Sequence, residues 1–192
     1  MFVKICGITN REDALAAVEA GARAIGFIFC QRSPRYVAPA SVAEWIGDVP
    51  EGIWKVGVYV DEAPETMERI GAQLRLDVAQ LHGQETPDRH PRGVRVWKAI
   101  RAGPETDRIP DYPAEAILLD GPGSGQTFDW SLAGTISKPV ILAGGLTPEN
   151  VRAAIDITKP WGVDTASGVE SSSGRKDHAR MKSFIKAALT NS

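Results

Sequence analysis

The sequence predicts a single-domain (β/α)₈ barrel, a TIM barrel of the α/β class, and two observations favour it. Eight short runs rich in Val, Ile, Leu and Ala alternate with helix-like segments along the whole chain. Such runs are typical of parallel strands that are buried on both faces. The length of 192 residues suits one domain and lies just below the roughly 200 residues of the smallest such barrels. The whole chain, residues 1–192, is therefore predicted to be one domain with short loops.

The eight strands are predicted at Phe2–Cys6, Ala24–Phe29, Lys55–Tyr59, Val78–Leu81, Val94–Ala99, Ala116–Leu119, Val140–Ala143 and Gly162–Thr165. Local signals mark several of the helices between them. Thr9 with Glu12 predicts a capping box, Gly21 suits the position after a helix, and Thr147-Pro148 predicts an N-cap followed by an N1 proline. Prolines interrupt the segments after the fourth, fifth and sixth strands, so single turns are expected there.

An open doubly wound sheet is the competing topology. It usually has fewer strands and a glycine-rich phosphate turn after the first one. Here the first strand is followed by Cys6-Gly7-Ile8-Thr9, which is not a GxGxxG motif. The barrel is therefore the better prediction.

Composition, charge and cysteine spacing argue against several classes of function. Apolar residues make up 43% of the chain, charged residues 24%, and the net charge is −2 without a long basic run, so no nucleic-acid partner is expected. The start of the chain lacks a secretory signal and no apolar run reaches the roughly 20 residues of a membrane span, which predicts a cytoplasmic protein without a membrane partner. Cys6 and Cys30 show no metal-ligand spacing and predict neither a metal site nor a disulfide framework, and Cys30 is interpreted as structural.

Polar residues at the carboxyl ends of barrel strands face the active site. This rule selects Cys6, His82, Asp120 and Asp164, and Arg35 lies in the loop after the second strand. A thiol at the barrel mouth can act as a base, although an isolated cysteine is more often a packed side chain. An acid before a glycine-rich loop can donate a proton when it is desolvated, although such an acid is also a common loop cap. Arg35 suits a ligand carboxylate, and His82 either binds ligand or bonds within the mouth.

The loops after the seventh and eighth strands predict a phosphate site. Gly144-Gly145 precedes a helix and Ser167-Gly168 follows the last strand. Backbone amides in these two loops form the recurrent phosphate site of such barrels. The glycine-rich segment Asp120–Thr127 is interpreted as an active-site loop and mobile cover.

Two lysines on predicted strands are expected to face the barrel interior. They are Lys4 and Lys98. A buried unpaired charge is costly, so each lysine needs an acid such as Asp164 nearby.

Taken together, the chain closely resembles the phosphoribosylanthranilate isomerase family. The matching segments occur in order from one end to the other, at the strand ends: Lys4-Ile5-Cys6-Gly7-Ile8-Thr9, Gly26-Phe27-Ile28-Phe29, Ser33-Pro34-Arg35-Tyr36, Val56-Gly57-Val58, Val78-Ala79-Gln80-Leu81-His82-Gly83, Leu118-Leu119-Asp120, Phe128-Asp129-Trp130, Leu142-Ala143-Gly144-Gly145-Leu146 and Ser167-Gly168-Val169-Glu170. The set as a whole is highly specific.

The resemblance implies an Amadori rearrangement of a phosphorylated small molecule in tryptophan biosynthesis, without cofactor or metal. It implies that Cys6 is the general base, Asp120 the general acid, and that Arg35 holds the anthranilate carboxylate. Cys6 then needs a lowered pKa and Asp120 a raised one, or each acts from a minor protonation state. Two segments depart from the family pattern: the middle of the chain, 85–113, is shorter, and Thr165-Ala166 replaces a more serine-rich stretch.

Two rival functions remain. A ribulose-phosphate epimerase would share the phosphate loops, but such enzymes generally use a metal and paired acids, and the Cys6 motif argues against it. A catalytically silent phosphate-binding barrel is the second, and the presence of both Cys6 and Asp120 argues against it. The oligomeric state, monomer or homodimer, is left open.

Overall fold

A computed structural model describes residues 1–102, 112–121 and 130–190. In these residues eight parallel strands form a closed barrel, in which each strand pairs with the next along the chain and the last closes on the first. The strands are β1 Phe2–Ile5, β2 Ala24–Ile28, β3 Trp54–Tyr59, β4 Val78–Leu81, β5 Arg95–Arg101, β6 Ala116–Asp120, β7 Val140–Leu142 and β8 Gly162–Thr165. The predicted barrel is confirmed, and the strand ends differ from the prediction by at most two residues.

Five helices and a hairpin surround the barrel in the described residues. They are α1 Arg11–Glu19, α2 Pro39–Ala43, α3 Pro64–Leu74, α4 Val151–Thr158, the hairpin β9 Glu170–Ser172 with β10 Arg175–Lys176, and α5 His178–Leu189. A single 3₁₀ turn, Pro87–Arg89, follows β4, as the prolines predict. The 3₁₀ helix after β6, Trp130–Thr135, has six residues and so makes two turns. No helix in the described ranges has the length and apolar character needed to cross a membrane. Most of the predicted cover loop, 122–127, and much of the segment after β5, 103–111, lie outside the described residues.

The barrel sheet is buried on both faces. Small and medium apolar side chains such as Ala24, Val56 and Leu118 fill the interior. A larger layer, which includes Ile25 and Leu119, packs between the outside of the sheet and the helices. This double burial explains why the strands appear in the sequence as continuous apolar runs.

Two predicted helix starts are wrong by one or more residues. The N-cap of α1 is Asn10, whose side chain accepts a hydrogen bond of 2.8 Å from the N–H of Asp13. Thr9 instead donates its hydroxyl to the carbonyl of Gly174 in the β9–β10 hairpin. The second case is α4, which begins at Val151 rather than after Thr147, with a turn between them. Thr147 does act as a cap, because its hydroxyl accepts a hydrogen bond of 3.2 Å from the N–H of Glu149, but it caps the turn before α4 rather than α4 itself.

The predicted inward orientation of Lys98 is also wrong. Its strand neighbours Trp97 and Ala99 face the barrel interior, so Lys98 lies on the opposite, outer face of β5. There its ammonium lies 2.7 Å from a carboxylate oxygen of Glu85 and donates to the carbonyl of Gly83. Lys98 therefore has a buried acid as partner, but the acid is not Asp164.

Candidate active site

A cavity of about 250 Å³ opens at the carboxyl ends of the strands. It is lined by Cys6, Ile28, Arg35, Val58, Gln80, His82, Leu118, Asp120, Ala143, Gly144, Gly145, Leu146, Asp164, Thr165, Ala166 and Ser167. All the predicted site residues except Gly168 are in this set. Because the strand ends of a closed barrel converge on one mouth, residues far apart in sequence share one cavity.

Cys6 lies directly after β1 and is 6% exposed. Lys4, two residues earlier and on the same inward face, is fully buried, and its ammonium interacts electrostatically with the Cys6 thiol. The ammonium also lies 2.9 Å from a carboxylate oxygen of Asp164. Gly26 on β2 makes room for this arrangement, because a Cβ there would lie 3.0 Å from the Cys6 sulfur and 3.2 Å from the Lys4 nitrogen. The predicted Lys4–Asp164 pair is confirmed.

The protonation state of Cys6 differs from the first of the two expectations. Burial raises the pKa of the Cys6 thiol, and the neighbouring Asp164 carboxylate raises it further. Lys4 and Lys176 act in the opposite direction but do not outweigh burial. The expected lowered pKa is therefore wrong for the free protein, which leaves the second expectation, a base that acts from a minor protonation state.

Arg35 is held by an acid that the sequence did not assign to it. Its guanidinium makes a two-pronged ion pair with Glu170 on β9, in which both N–O distances are 2.8 Å. Glu170 also accepts from the ammonium of Lys176, at 2.9 Å. Gly7 lies under the arginine: its φ is +70°, and a Cβ there would be 2.7 Å from the Arg35 Cδ. The two hydrogen bonds to Glu170 use two of the five guanidinium N–H groups of Arg35, which leaves three for a ligand carboxylate.

These contacts create a group of charges around Cys6. Three basic side chains, Lys4, Arg35 and Lys176, interact electrostatically with the thiol, and two carboxylates, Asp164 and Glu170, neutralise two of them. The formal charge of the group is thus +1 with a thiol and zero with a thiolate. Coulombic balance favours the thiolate, whereas desolvation opposes it.

Asp120 is the last residue of β6, on the opposite side of the cavity from β2. Its carboxylate lies 3.3 Å from the Nε2 of His82, which follows β4. Both side chains are partly exposed, at 29% and 37%. The pair therefore reaches the open part of the cavity, where a proton can be delivered to a bound ligand.

The loop after β7 is shaped by its two glycines. Gly144 and Gly145 have φ values of +78° and +67°. A Cβ on Gly144 would lie 2.1 Å from the backbone nitrogen of Gly121, so only glycine allows this approach of the β6 and β7 loops. Within the residues that the structure describes, the N–H groups of the two glycines donate to no protein acceptor. They are available to an anion.

The loop after β8 is attached to the loop after β7. The Thr165 hydroxyl donates to the carbonyl of Leu146 at 2.8 Å. Gly168 is placed beneath the same carbonyl, since a Cβ there would be 1.9 Å from the oxygen of Leu146. Ser167 lines the cavity, whereas Gly168 allows the two loops to pack and does not line it.

Three further residues near the cavity were not assigned roles from sequence. Glu170 and Lys176 lie on the hairpin after β8, and Gln80 lies on β4. Glu170 and Gln80 occur within the segments that carry the family resemblance, which was the available signal, and nothing singled out Lys176. Among the described residues, no three His, Cys, Asp or Glu side chains are grouped so as to hold a metal ion.

Comparisons with known proteins agree with this geometry. The family described as N-(5′-phosphoribosyl)anthranilate (PRA) isomerase matches residues 3–187. The N-(5′-phosphoribosyl)anthranilate isomerase of Solibacter usitatus is 47% identical over 98% of this chain and 97% of its own length.

Solved structures give the same result. The crystal structure of phosphoribosyl anthranilate isomerase from Thermotoga maritima has a TM-score of 0.89 and 41% identity, and covers 98% of both chains. A phosphoribosyl anthranilate isomerase in complex with reduced 1-(o-carboxyphenylamino)-1-deoxyribulose 5-phosphate has a TM-score of 0.87 and 39% identity, again over 98% of both chains. Since the match extends over nearly the whole chain, the chain belongs to the N-(5′-phosphoribosyl)anthranilate isomerase family.

Proposed function

We propose that this chain catalyses the Amadori rearrangement of N-(5-phospho-β-D-ribosyl)anthranilate to 1-(2-carboxyphenylamino)-1-deoxy-D-ribulose 5-phosphate in tryptophan biosynthesis. Cys6 is the general base and Asp120 the general acid. The observation that carries the proposal is that both side chains line one cavity together with the two phosphate-type loops. A biosynthetic role of this kind also supports a cytoplasmic location.

The reaction needs one acid and one base. Asp120 gives a proton to the ribose ring oxygen, the C1′–O bond breaks, and the anthranilate nitrogen supplies the electron pair that forms the Schiff base. The Cys6 thiolate then removes the proton from C2′, and the C–H electrons form the C1′–C2′ double bond of an enolamine. Tautomerisation moves the O2′ proton to C1′ through solvent or a site acid and gives the ketone. Transfer of the Cys6 proton to Asp120 through solvent restores both groups, so the sum is an isomerisation, and each catalytic group contributes a factor of roughly 10²–10⁴.

The remaining site residues fit the two anionic ends of the substrate. The free N–H groups of Gly144 and Gly145, with Ser167 in the adjoining loop, provide a phosphate site, and Gly168 supports it by letting the two loops pack. The spare N–H groups of Arg35 suit the anthranilate carboxylate. Among the other substrate-binding residues, His82 lies beside the acid and Asp164 beside the base, through Lys4.

Substitution of the two catalytic residues tests the assignment. We expect Cys6→Ser and Asp120→Asn to lower turnover by about 10²–10⁴, measured as loss of anthranilate-sugar fluorescence. With substrate deuterated at C2′, residual Cys6→Ser activity should show a large isotope effect, because C–H removal has become slow. Asp120→Asn should show a small one, because ring opening then limits the rate.

Cys30→Ser provides the matched control, since Cys30 does not line the cavity. It should keep the wild-type rate. A Cys6→Ser or Asp120→Asn protein that turns over substrate near the wild-type rate would show that the roles are assigned wrongly. A folded wild-type chain with no turnover would refute the activity itself.

A further inference from the structure

Gln80 is a cavity-lining residue whose side chain has an unsatisfied polar atom. It lies on the inward face of β4, is 1% exposed, and lines the cavity. Its Oε1 is buried and has no hydrogen-bond partner in the residues that the structure describes. Buried polar side-chain atoms in native proteins almost always have a partner, so an exception calls for an explanation.

None of the described residues supplies the missing partner. In the sheet, Gln80 is flanked by Val58 on β3 and Trp97 on β5. Val58 is apolar, and Trp97 is packed with the apolar interior of the barrel. Two other described side-chain atoms are buried without a hydrogen-bond partner, Tyr59 Oη and Trp130 Nε1. Neither of these residues lines the cavity. Among the described residues, Gln80 is thus the one cavity-lining residue with a buried side-chain atom that lacks a partner.

The chemistry of the amide selects the ligand group. The substrate's phosphate and carboxylate ends are acceptors without protons at neutral pH, and they have the glycine loops and Arg35 as partners. Between these ends the sugar carries hydroxyl groups, which both donate and accept hydrogen bonds. A hydroxyl therefore satisfies a glutamine amide whichever of its two polar atoms faces the ligand.

We propose that Gln80 is a substrate-binding residue whose side-chain amide hydrogen-bonds a sugar hydroxyl of the bound phosphoribosyl compound. This inference rests on the proposed function and adds to it a determinant for the hydroxylated chain. The bond holds the sugar at the depth of β4, two residues before His82, which directly follows that strand, so C1′ and C2′ stay between the acid and the base.

Two ligands test the proposal directly. The first is the reduced product, which carries chain hydroxyls. The second is N-(5-phosphooxypentyl)anthranilate, which keeps both anionic ends but has no hydroxyls. Gln80→Met, which is close in shape but has no amide, should bind the first about 3- to 10-fold more weakly than the wild type, as expected for one lost hydrogen bond. Its affinity for the second should equal that of the wild type.

A stability measurement separates binding from a structural role. Because Oε1 is orphaned in the free protein, Gln80→Met should unfold at the wild-type temperature or above it. Tyr59→Phe, which removes another orphan outside the cavity, should change neither ligand affinity. Gln80→Leu repeats the test if Gln80→Met does not fold.

Three results would overturn the proposal. They are unchanged affinity of the Gln80 variants for the reduced product, equal weakening for both ligands, and a lowered unfolding temperature with normal binding. The wild-type turnover assay keeps the two conclusions apart. If the wild type converts substrate and the Gln80 variants bind the reduced product normally, the Gln80 inference alone fails.

Discussion

Lys4→Met should destabilise the protein strongly. Lys4 is fully buried and its ammonium lies 2.9 Å from the carboxylate of Asp164, itself 7% exposed. Methionine fills similar space but leaves the carboxylate buried and unpaired. Breaking a buried ion pair in this way costs about 3–5 kcal/mol. For a domain of this size that corresponds to a fall of roughly 6–20 °C in Tm.

The loss should also depend on pH. Asp164 and Cys6 hold the pKa of Lys4 above its ordinary value of 10.5, although burial acts to lower it. A group with a raised pKa contributes its full stability below the unfolded-state value and loses it as pH rises through the folded-state value. The difference in Tm between wild type and Lys4→Met should therefore be constant at neutral pH and shrink only above about pH 10.5.

The assay combines thermal unfolding with titration of the thiol. In a Cys30→Ser background, the ultraviolet absorbance of the thiolate reports on Cys6 alone. Lys4→Met should raise the pKa of Cys6, because it removes the cation that lowers this pKa most. The matched double variant, Lys4→Met with Asp164→Asn, should recover much of the Tm, since no unpaired charge remains. An unchanged Tm in the single variant, or Cys6 titration at the wild-type pH, would refute this account of the charge group.

Two further predictions concern Gly144 in the loop after β7 and Glu170, the acid that pairs with Arg35. Gly144→Ala should lower Tm by several degrees and weaken binding of inorganic phosphate. The φ of Gly144 is +78°, and a Cβ there would lie 2.1 Å from the backbone nitrogen of Gly121, so the loop has no room for alanine. Wild-type phosphate affinity of the variant, measured by calorimetry, would contradict this prediction. Glu170→Gln should make the free energy of unfolding less dependent on pH in the acid range. Although burial raises the pKa of Glu170, hydrogen bonds from Arg35 and Lys176 hold this pKa below its ordinary value of 4.5. The contribution of Glu170 to stability is therefore complete above pH 4.5 and is lost as the pH falls through the lowered value. Acid unfolding that coincides with the wild type would contradict this expectation.

The barrel and most of its mouth could be predicted from sequence for a physical reason. Parallel strands buried on both faces must be apolar throughout, so their number and order are visible in the sequence. Closure of the barrel then brings every strand end to the same rim. This is why Cys6 and Asp120, separated by five strand–helix units, line one cavity as expected.

The same double burial conceals which face a residue is on. In a half-buried strand, alternation of polar and apolar residues marks the inner face. On β5 both faces are apolar, so nothing in the run Val96-Trp97-Lys98-Ala99-Ile100 indicates the side on which its one cation lies. Lys98 was therefore assigned to the interior, whereas it pairs outside with Glu85.

Contacts between distant segments limit what can be predicted about protonation. Lys4 is two residues from Cys6, and this local spacing alone predicts a lowered pKa for the thiol. In the folded chain the same lysine is neutralised by Asp164, 160 residues later, and Arg35 by Glu170, 135 residues later. Each ion pair reduces the positive electrostatic field at the Cys6 sulfur, while closure of the barrel removes water from around the sulfur. Burial therefore outweighs the nearby cations, and the proposed base, Cys6, is a thiol that must lose its proton before it can act.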